Sequence, residues 1–110
     1  MDYSSLPSAR QRLVRTIQDL QFGRIEHLLI RNENPVWEPG PRVIRERRLD
    51  RMQEPLTVPR GPDFALKKQF VELFALFDRE SALEIERLEV QHGLPFRVNI
   101  VEKVGIESMP

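Results

Sequence analysis

The stretch Ile25-Glu26-His27-Leu28-Leu29-Ile30-Arg31-Asn32-Glu33-Asn34-Pro35-Val36 returns sixty residues later as Ile85-Glu86-Arg87-Leu88-Glu89-Val90-Gln91-His92-Gly93-Leu94-Pro95-Phe96. Identical isoleucine, glutamate, leucine and proline residues fall on matching places, and the pairs Ile30/Val90 and Val36/Phe96 keep apolar character. Leu28 with Ile30, and Leu88 with Val90, alternate with other residues as one buried face of a strand requires. The segments Asn32-Glu33-Asn34-Pro35 and His92-Gly93-Leu94-Pro95 then carry turn chemistry, because Asn and Gly tolerate positive φ and proline fixes the backbone where the next strand begins. Each copy therefore reads as a hairpin. Phe96, Val98 and Ile100 supply the second strand of the later one, whereas Pro39-Gly40-Pro41 interrupts the earlier one. There a strand from about Arg42 to Leu49 resumes after a kink or bulge.

Working upstream, each hairpin follows an amphipathic helical pattern. The first begins at a capping box, Ser8-Ala9-Arg10-Gln11, and its apolar stripe is Leu13, Val14, Ile17 and Leu20, with Arg10, Arg12, Arg15, Gln18 and Asp19 pointing elsewhere and Gly23 as the stop. The second starts after Pro62 with Asp63 as its cap. Its stripe of Leu66, Phe70, Leu73, Phe74 and Phe77 is wider and more aromatic, so this helix is expected to be the more buried. Val14, Ile17 and Leu20 match Val71, Phe74 and Phe77 at an offset of 57, which puts the length difference in the loop around Arg79 to Ala82. Met52 to Pro62, with three prolines and one glycine, reads as an extended linker. The expected organisation is one domain over 1–110, with repeat one at 8–50, a Pro-rich linker at 51–62 and repeat two at 63–107. A lone helix-strand-strand unit cannot bury both its helix stripe and its sheet face, but two units can cover each other. The expected fold is α+β: two helix-strand-strand repeats forming one antiparallel sheet, with both helices packed on one face and a pseudo-twofold axis between the halves.

Composition sets limits on function. A chain of 110 residues is one ordinary domain, and 17 basic against 17 acidic side chains give no net field of the kind that coats nucleic acid indiscriminately. The absence of cysteine excludes disulfides, thiol nucleophiles and Cys-based metal sites. The longest apolar run, Leu73 to Phe77, is five residues, far below the roughly 18 that span a bilayer. No leader or lipidation pattern stands at Met1-Asp2-Tyr3-Ser4-Ser5, so a soluble cytoplasmic protein without membrane contact is expected.

A helix ending in Leu20-Gln21-Phe22-Gly23, followed by a strand, a short turn and an apolar second strand, resembles the YezD-like small bacterial proteins of unknown function. Those shorter proteins end a similar strand with Glu-Lys, as Glu102-Lys103-Val104 does here. The Phe-Gly occurs only in the first half and the Glu-Lys only in the second, so each half looks like a partial copy, over residues 10–49 and 66–106. The resemblance implies two diverged tandem copies of a module that would otherwise self-associate. It carries over no catalytic residue.

Chemical candidates are few. His27 and His92 occupy non-equivalent places, a strand and a turn, and read as solvent-facing residues rather than a shared metal site. The serines lack a nucleophile elbow, and the glycines at 23, 40, 61, 93 and 105 stand too far apart to cradle a phosphate. Glu26 and Glu86 are repeated acids that a twofold axis could bring together, raising one pKa as a general acid requires; a solvated strand edge is the preferred alternative. Trp37 falls opposite Arg97 in the repeat, and packing under the Pro39-Gly40-Pro41 bend is expected of it.

The main charged feature is Arg42-Val43-Ile44-Arg45-Glu46-Arg47-Arg48-Leu49-Asp50-Arg51, five arginines against two acids. Residues 1–60 hold 11 basic and 8 acidic side chains and residues 61–110 hold 6 and 9, a split of +3 and −3. Arg42, Arg45, Arg47, Arg48 and Arg51 are thus candidate contacts to a protein partner or to nucleic acid phosphates. The structural alternatives are pairing with the acidic Glu84, Glu86 and Glu89 strand, or charge that discourages stray edge pairing. The expected function is a small non-catalytic bacterial interaction or regulatory module acting through protein-protein contacts, including contacts with itself. Nucleic-acid binding through the arginine strand is the alternative. No enzyme activity, cofactor, metal or small-molecule substrate is expected.

Overall fold

The computed structural model describes residues 1–49 and 63–102. The Pro-rich linker 51–62, Arg51 and the end of repeat two at 103–107 lie outside the described residues. A short 3-10 turn at Tyr3–Ser5 precedes α1 (Ser8–Leu20), β1 (Gly23–Arg31), β2 (Asn34–Pro35) and β3 (Arg42–Arg45). The second half supplies α2 (Lys68–Glu80), β4 (Leu83–Gln91) and β5 (Leu94–Ile100). The fold is α+β. All strand pairings are antiparallel in a five-stranded sheet of order β2-β1-β4-β5, with β3 also paired to β1.

Both hairpins turn where expected. Asn32 and Glu33 have φ of 50° and 69°, and His92 and Gly93 have φ of 54° and 69°, the double positive φ that matches the twist of a tight hairpin. The buried residues of the sheet are Ile25, Leu28 and Ile30 on β1 and Ile85, Leu88 and Val90 on β4. Strict alternation from Leu28 and Ile30 would send Ile25 to the outer face, yet it is fully buried. The reason is that Glu26-His27 fills the space of one residue, with His27 at φ 57°. β4 does the same between Ile85 and Leu88, where its pairing with β5 shifts register. Ile25 consequently lies opposite Leu88, and Leu28 opposite Ile85.

These six strand residues form one apolar cluster with Leu13, Val14, Ile17 and Leu20 of α1 and Phe70, Leu73, Phe74 and Phe77 of α2, so both helices cover the same face of the sheet. Three local expectations change. The helices run from 8 to 20 and from 68 to 80, an offset of sixty rather than 57, because each ends on a positive-φ residue, Gln21 (63°) or Ser81 (61°). Pro7 precedes α1, and no side chain caps it; Gln11 donates its amide to the Tyr3 carbonyl instead. Asp63 does not cap α2, since it accepts from the Ser4 and Phe64 amides, beside a bridge between Asp2 and Ala65.

The burial ranking of the helices is also reversed. α1 buries six residues, including Arg10 and Gln18, whereas α2 buries four. The helix ends are held across the halves: the Glu33 N–H donates to the Ser81 carbonyl (2.8 Å) and the Gly93 N–H to the Gln21 carbonyl (3.0 Å). Each tight turn thereby satisfies a carbonyl just past the other half's helix.

Candidate functional site

The face of the sheet away from the helices carries charge in rows set by register. Arg42, Glu26, Arg87 and Asn99 lie side by side, and next to them Ile44, Arg24, Glu89 and Arg97. Opposite charges alternate within and between the rows. The Arg24 guanidinium donates to Glu26 at 2.8 Å, and Arg97 approaches Glu89 at 3.6 Å. The hydrogen bond from Arg24 holds the Glu26 carboxyl below its usual range; partial burial opposes this, and the positive charges of Arg24, Arg42 and Arg87 add to it.

The arginine run does not form one surface. β3 pairs with β1, so Arg42 faces Glu26 of its own half and not Glu84, Glu86 or Glu89, whose strand is flanked by β1 and β5. Arg45 points the other way, to the end of α1. Its Nη1 donates to the Asp19 and Leu20 carbonyls (3.0 and 3.1 Å) and its Nη2 reaches the Asp19 carboxylate at 3.2 Å. A guanidinium at these carbonyls answers the negative end of the helix. Arg47 and Arg48 are exposed beyond the end of β3, which stops at Arg45 rather than at Leu49. Gly23, expected as a helix stop, instead admits β3: its φ is 150°, and a Cβ there would fall on the Ile44 carbonyl oxygen.

The other candidates separate too. Glu26 stands opposite Arg87, and Glu86 is exposed in the irregularity of β4. His27 is exposed in its bulge, and His92 meets the Phe22 ring edge-on at 4.9 Å. Among the described residues no cluster of His, Asp and Glu is disposed to hold a metal ion, and no helix is long and apolar enough to cross a membrane.

Arg10 carries a charge that would favour the solvent side of α1, yet it is 6% exposed. Its guanidinium donates twice to the Glu33 carbonyl (3.1 and 2.7 Å) and to the Asp78 carboxylate (2.6 Å), over the rings of Phe74 and Phe77. The signal for this was present: at an offset of sixty Arg10 falls on Phe70, a core position. The aliphatic stem packs as an apolar residue while the head group finds carbonyl and carboxylate partners.

Two places beside the helices complete the site. Trp37 is half-buried against the core. Its indole N–H donates to the Ala9 carbonyl of α1 (3.0 Å) and the Arg12 guanidinium lies 4.4 Å from its ring. On the other half, between α2 and β5, there is an open groove of about 210 Å³ whose apolar lining includes Leu73, Leu76, Leu88, Pro95, Phe96 and Val98. Phe96 is the extra residue where the β4–β5 register shifts, and it is 54% exposed. The repeat match of Val36 with Phe96 marked it only as apolar, with no sign that it is uncovered. No family model, no curated protein and no solved structure matches the chain.

Proposed function

We propose that the chain is a non-catalytic bacterial interaction or regulatory module of the cytoplasm, built from two diverged YezD-like helix-hairpin copies about a pseudo-twofold axis, and that it acts through protein-protein contacts. The observation that carries the reading is the β5 edge. Among the described residues this seven-residue strand pairs only with β4, and it bears the exposed Phe96 beside the groove under α2. An edge strand with unpaired backbone groups and an adjacent apolar pocket is the arrangement by which sheets accept an extended segment of another chain.

Two symmetric features support the tandem origin. Ile25 opposite Leu88 and Leu28 opposite Ile85 exchange under a shift of sixty residues, as do the hydrogen bonds Glu33 to Ser81 and Gly93 to Gln21. Nucleic-acid contact has less support, because Arg45 is engaged at the end of α1 and Arg42 lies against Glu26. The test is affinity capture with the full chain from bacterial extracts, with and without nuclease. Specific protein partners should persist after nuclease treatment. Capture that vanishes with nuclease, or binding to DNA or RNA that weakens steeply with salt, would replace this reading by the nucleic-acid one. Light scattering over a concentration series checks whether a second copy is itself a partner.

A further inference from the structure

Among the described residues the two edges of the sheet are built differently. On one side stand β2 and β3, two and four residues long, separated by the Pro39-Gly40-Pro41 bend and carrying Arg42 and Arg45. Short strands, proline and charge are the devices by which sheets discourage stray pairing. On the other side stands β5, where such devices are confined to the start. Pro95 and the register shift beside Phe96 fall in its first three residues, and Arg97 to Val101 contains no proline, glycine or lysine. Its one cation, Arg97, is drawn to Glu89 of the same sheet (3.6 Å). Two of the exposed large hydrophobic residues, Phe96 (54%) and Val101 (37%), belong to this edge.

We propose that the chain pairs with a second copy of itself through β5, antiparallel and about a twofold axis at Val98, so that the sheet continues across two molecules. The proposal rests on the interaction-module reading and names the partner. The pattern of β5 selects the register. Residues directly opposite on antiparallel strands share a face, and here Val98 and Ile100 pack against the core while Arg97 and Asn99 continue the outer rows. A symmetric pairing that keeps faces matched must centre on Arg97, Val98 or Asn99. At Arg97 two guanidinium groups would meet, and at Asn99 the Phe96 ring would face Glu102. At Val98, Val98 meets Val98, Phe96 meets Ile100, Pro95 meets Val101 and Arg97 meets Asn99, so apolar residues cover one another and no like charges are directly opposed. The outer row then runs Glu89, Arg97, Asn99 and Arg87 across the junction. The two halves of one chain already join in this mode, since β1 and β4 pair antiparallel with Ile25 opposite Leu88 and Leu28 opposite Ile85. With 17 basic and 17 acidic side chains, no net charge holds two copies apart.

The experiment is sedimentation equilibrium of the full chain from about 1 to about 500 μM, with ¹H–¹⁵N correlation spectra at the two extremes. A monomer–dimer equilibrium with a dissociation constant on the order of 10 μM is expected for an interface of one strand pair and its flanking side chains. The amides that shift with concentration should concentrate between Phe96 and Val101. Asn99 and Phe96 are exposed, so substitutions there keep the fold, which the amide spectrum verifies. Asn99→Glu sets a carboxylate opposite Arg97 twice by symmetry and should tighten the dimer about five-fold, whereas Asn99→Arg should weaken it by about the same factor. Phe96→Ser should weaken it about ten-fold. A strict monomer at about 500 μM, shifts confined to another surface, or a dimer indifferent to the charge at position 99 would overturn the pairing. In that event nuclease-resistant capture of specific proteins leaves the interaction module standing, and failure of both removes both.

Discussion

The two hairpins begin alike and part company after the turn. In the second half, β5 runs unbroken from Leu94 to Ile100 along β4. In the first half, β2 stops at Pro35, the chain swings out through Trp37 and the Pro39-Gly40-Pro41 bend, and β3 returns at Arg42. The excursion lays Trp37 over α1, whereas the direct strand leaves α2 with an open groove. The difference teaches that two halves with matching turns and buried strand positions can differ in what lies against each helix. It also accounts for the helix burial: the more aromatic helix is the less covered one.

This comparison can be broken by substitutions at matched positions. The largest effect is expected at Gly23, which corresponds to Leu83. Gly23→Val puts a side chain into the β3 backbone at a φ of 150° and should cost about 3 kcal/mol, while Leu83→Val should cost about 1 kcal/mol. Urea denaturation measures both, and equal losses would mean that β3 contributes little to the first half. Next, Trp37→Ala should cost about 2 kcal/mol by uncovering α1, against less than about 0.5 kcal/mol for Arg97→Ala. Indole at about 1 mM should raise the melting temperature of Trp37→Ala more than that of the wild type.

A smaller effect tests the arginines. Arg45→Ala should cost about 1 kcal/mol by releasing the carbonyls at the end of α1, and Arg47→Ala should be close to neutral. Similar values would restore the view of the run as a single charged surface. The smallest effect is with pH. Glu26 and Asp63 are both held below their usual values when folded, Glu26 chiefly by the Arg24 hydrogen bond and Asp63 chiefly by the Ser4 amide. Their contribution is complete above the unfolded carboxylate range and is lost as pH falls through the folded values. Thermal unfolding followed downward from about pH 5 should therefore lose stability, with the slope reduced in Glu26→Gln.

Much of the fold was legible because the responsible chemistry is local. Asn32 and Gly93 adopt the positive φ that their residue types tolerate, and the apolar stripes of both helices face the core. The misread features all have distant partners. Asp63 looked like a helix cap until its carboxylate met the Ser4 amide, 59 residues away in sequence. Arg10 looked like a solvated charge until the Glu33 carbonyl and Asp78 came to it from two other elements. The arginine run read as one feature because its members are neighbours in sequence, yet strand pairing sends Arg42 to Glu26 and Arg45 to the end of α1. Neither the groove nor the exposure of Phe96 has a local signature, since both follow from how the other described residues pack.

By itself the sequence determined where the chain turns and which stripes are apolar, because dihedral preference and hydrophobic period act over a few residues. Tertiary structure alone decided which side each arginine takes, that Gly23 must admit a neighbouring strand, and that an indole lies against one helix while a groove opens beside the other among the described residues. Those outcomes depend on how strands at a distance share a ladder and on the volume left between packed elements, quantities that no short segment contains.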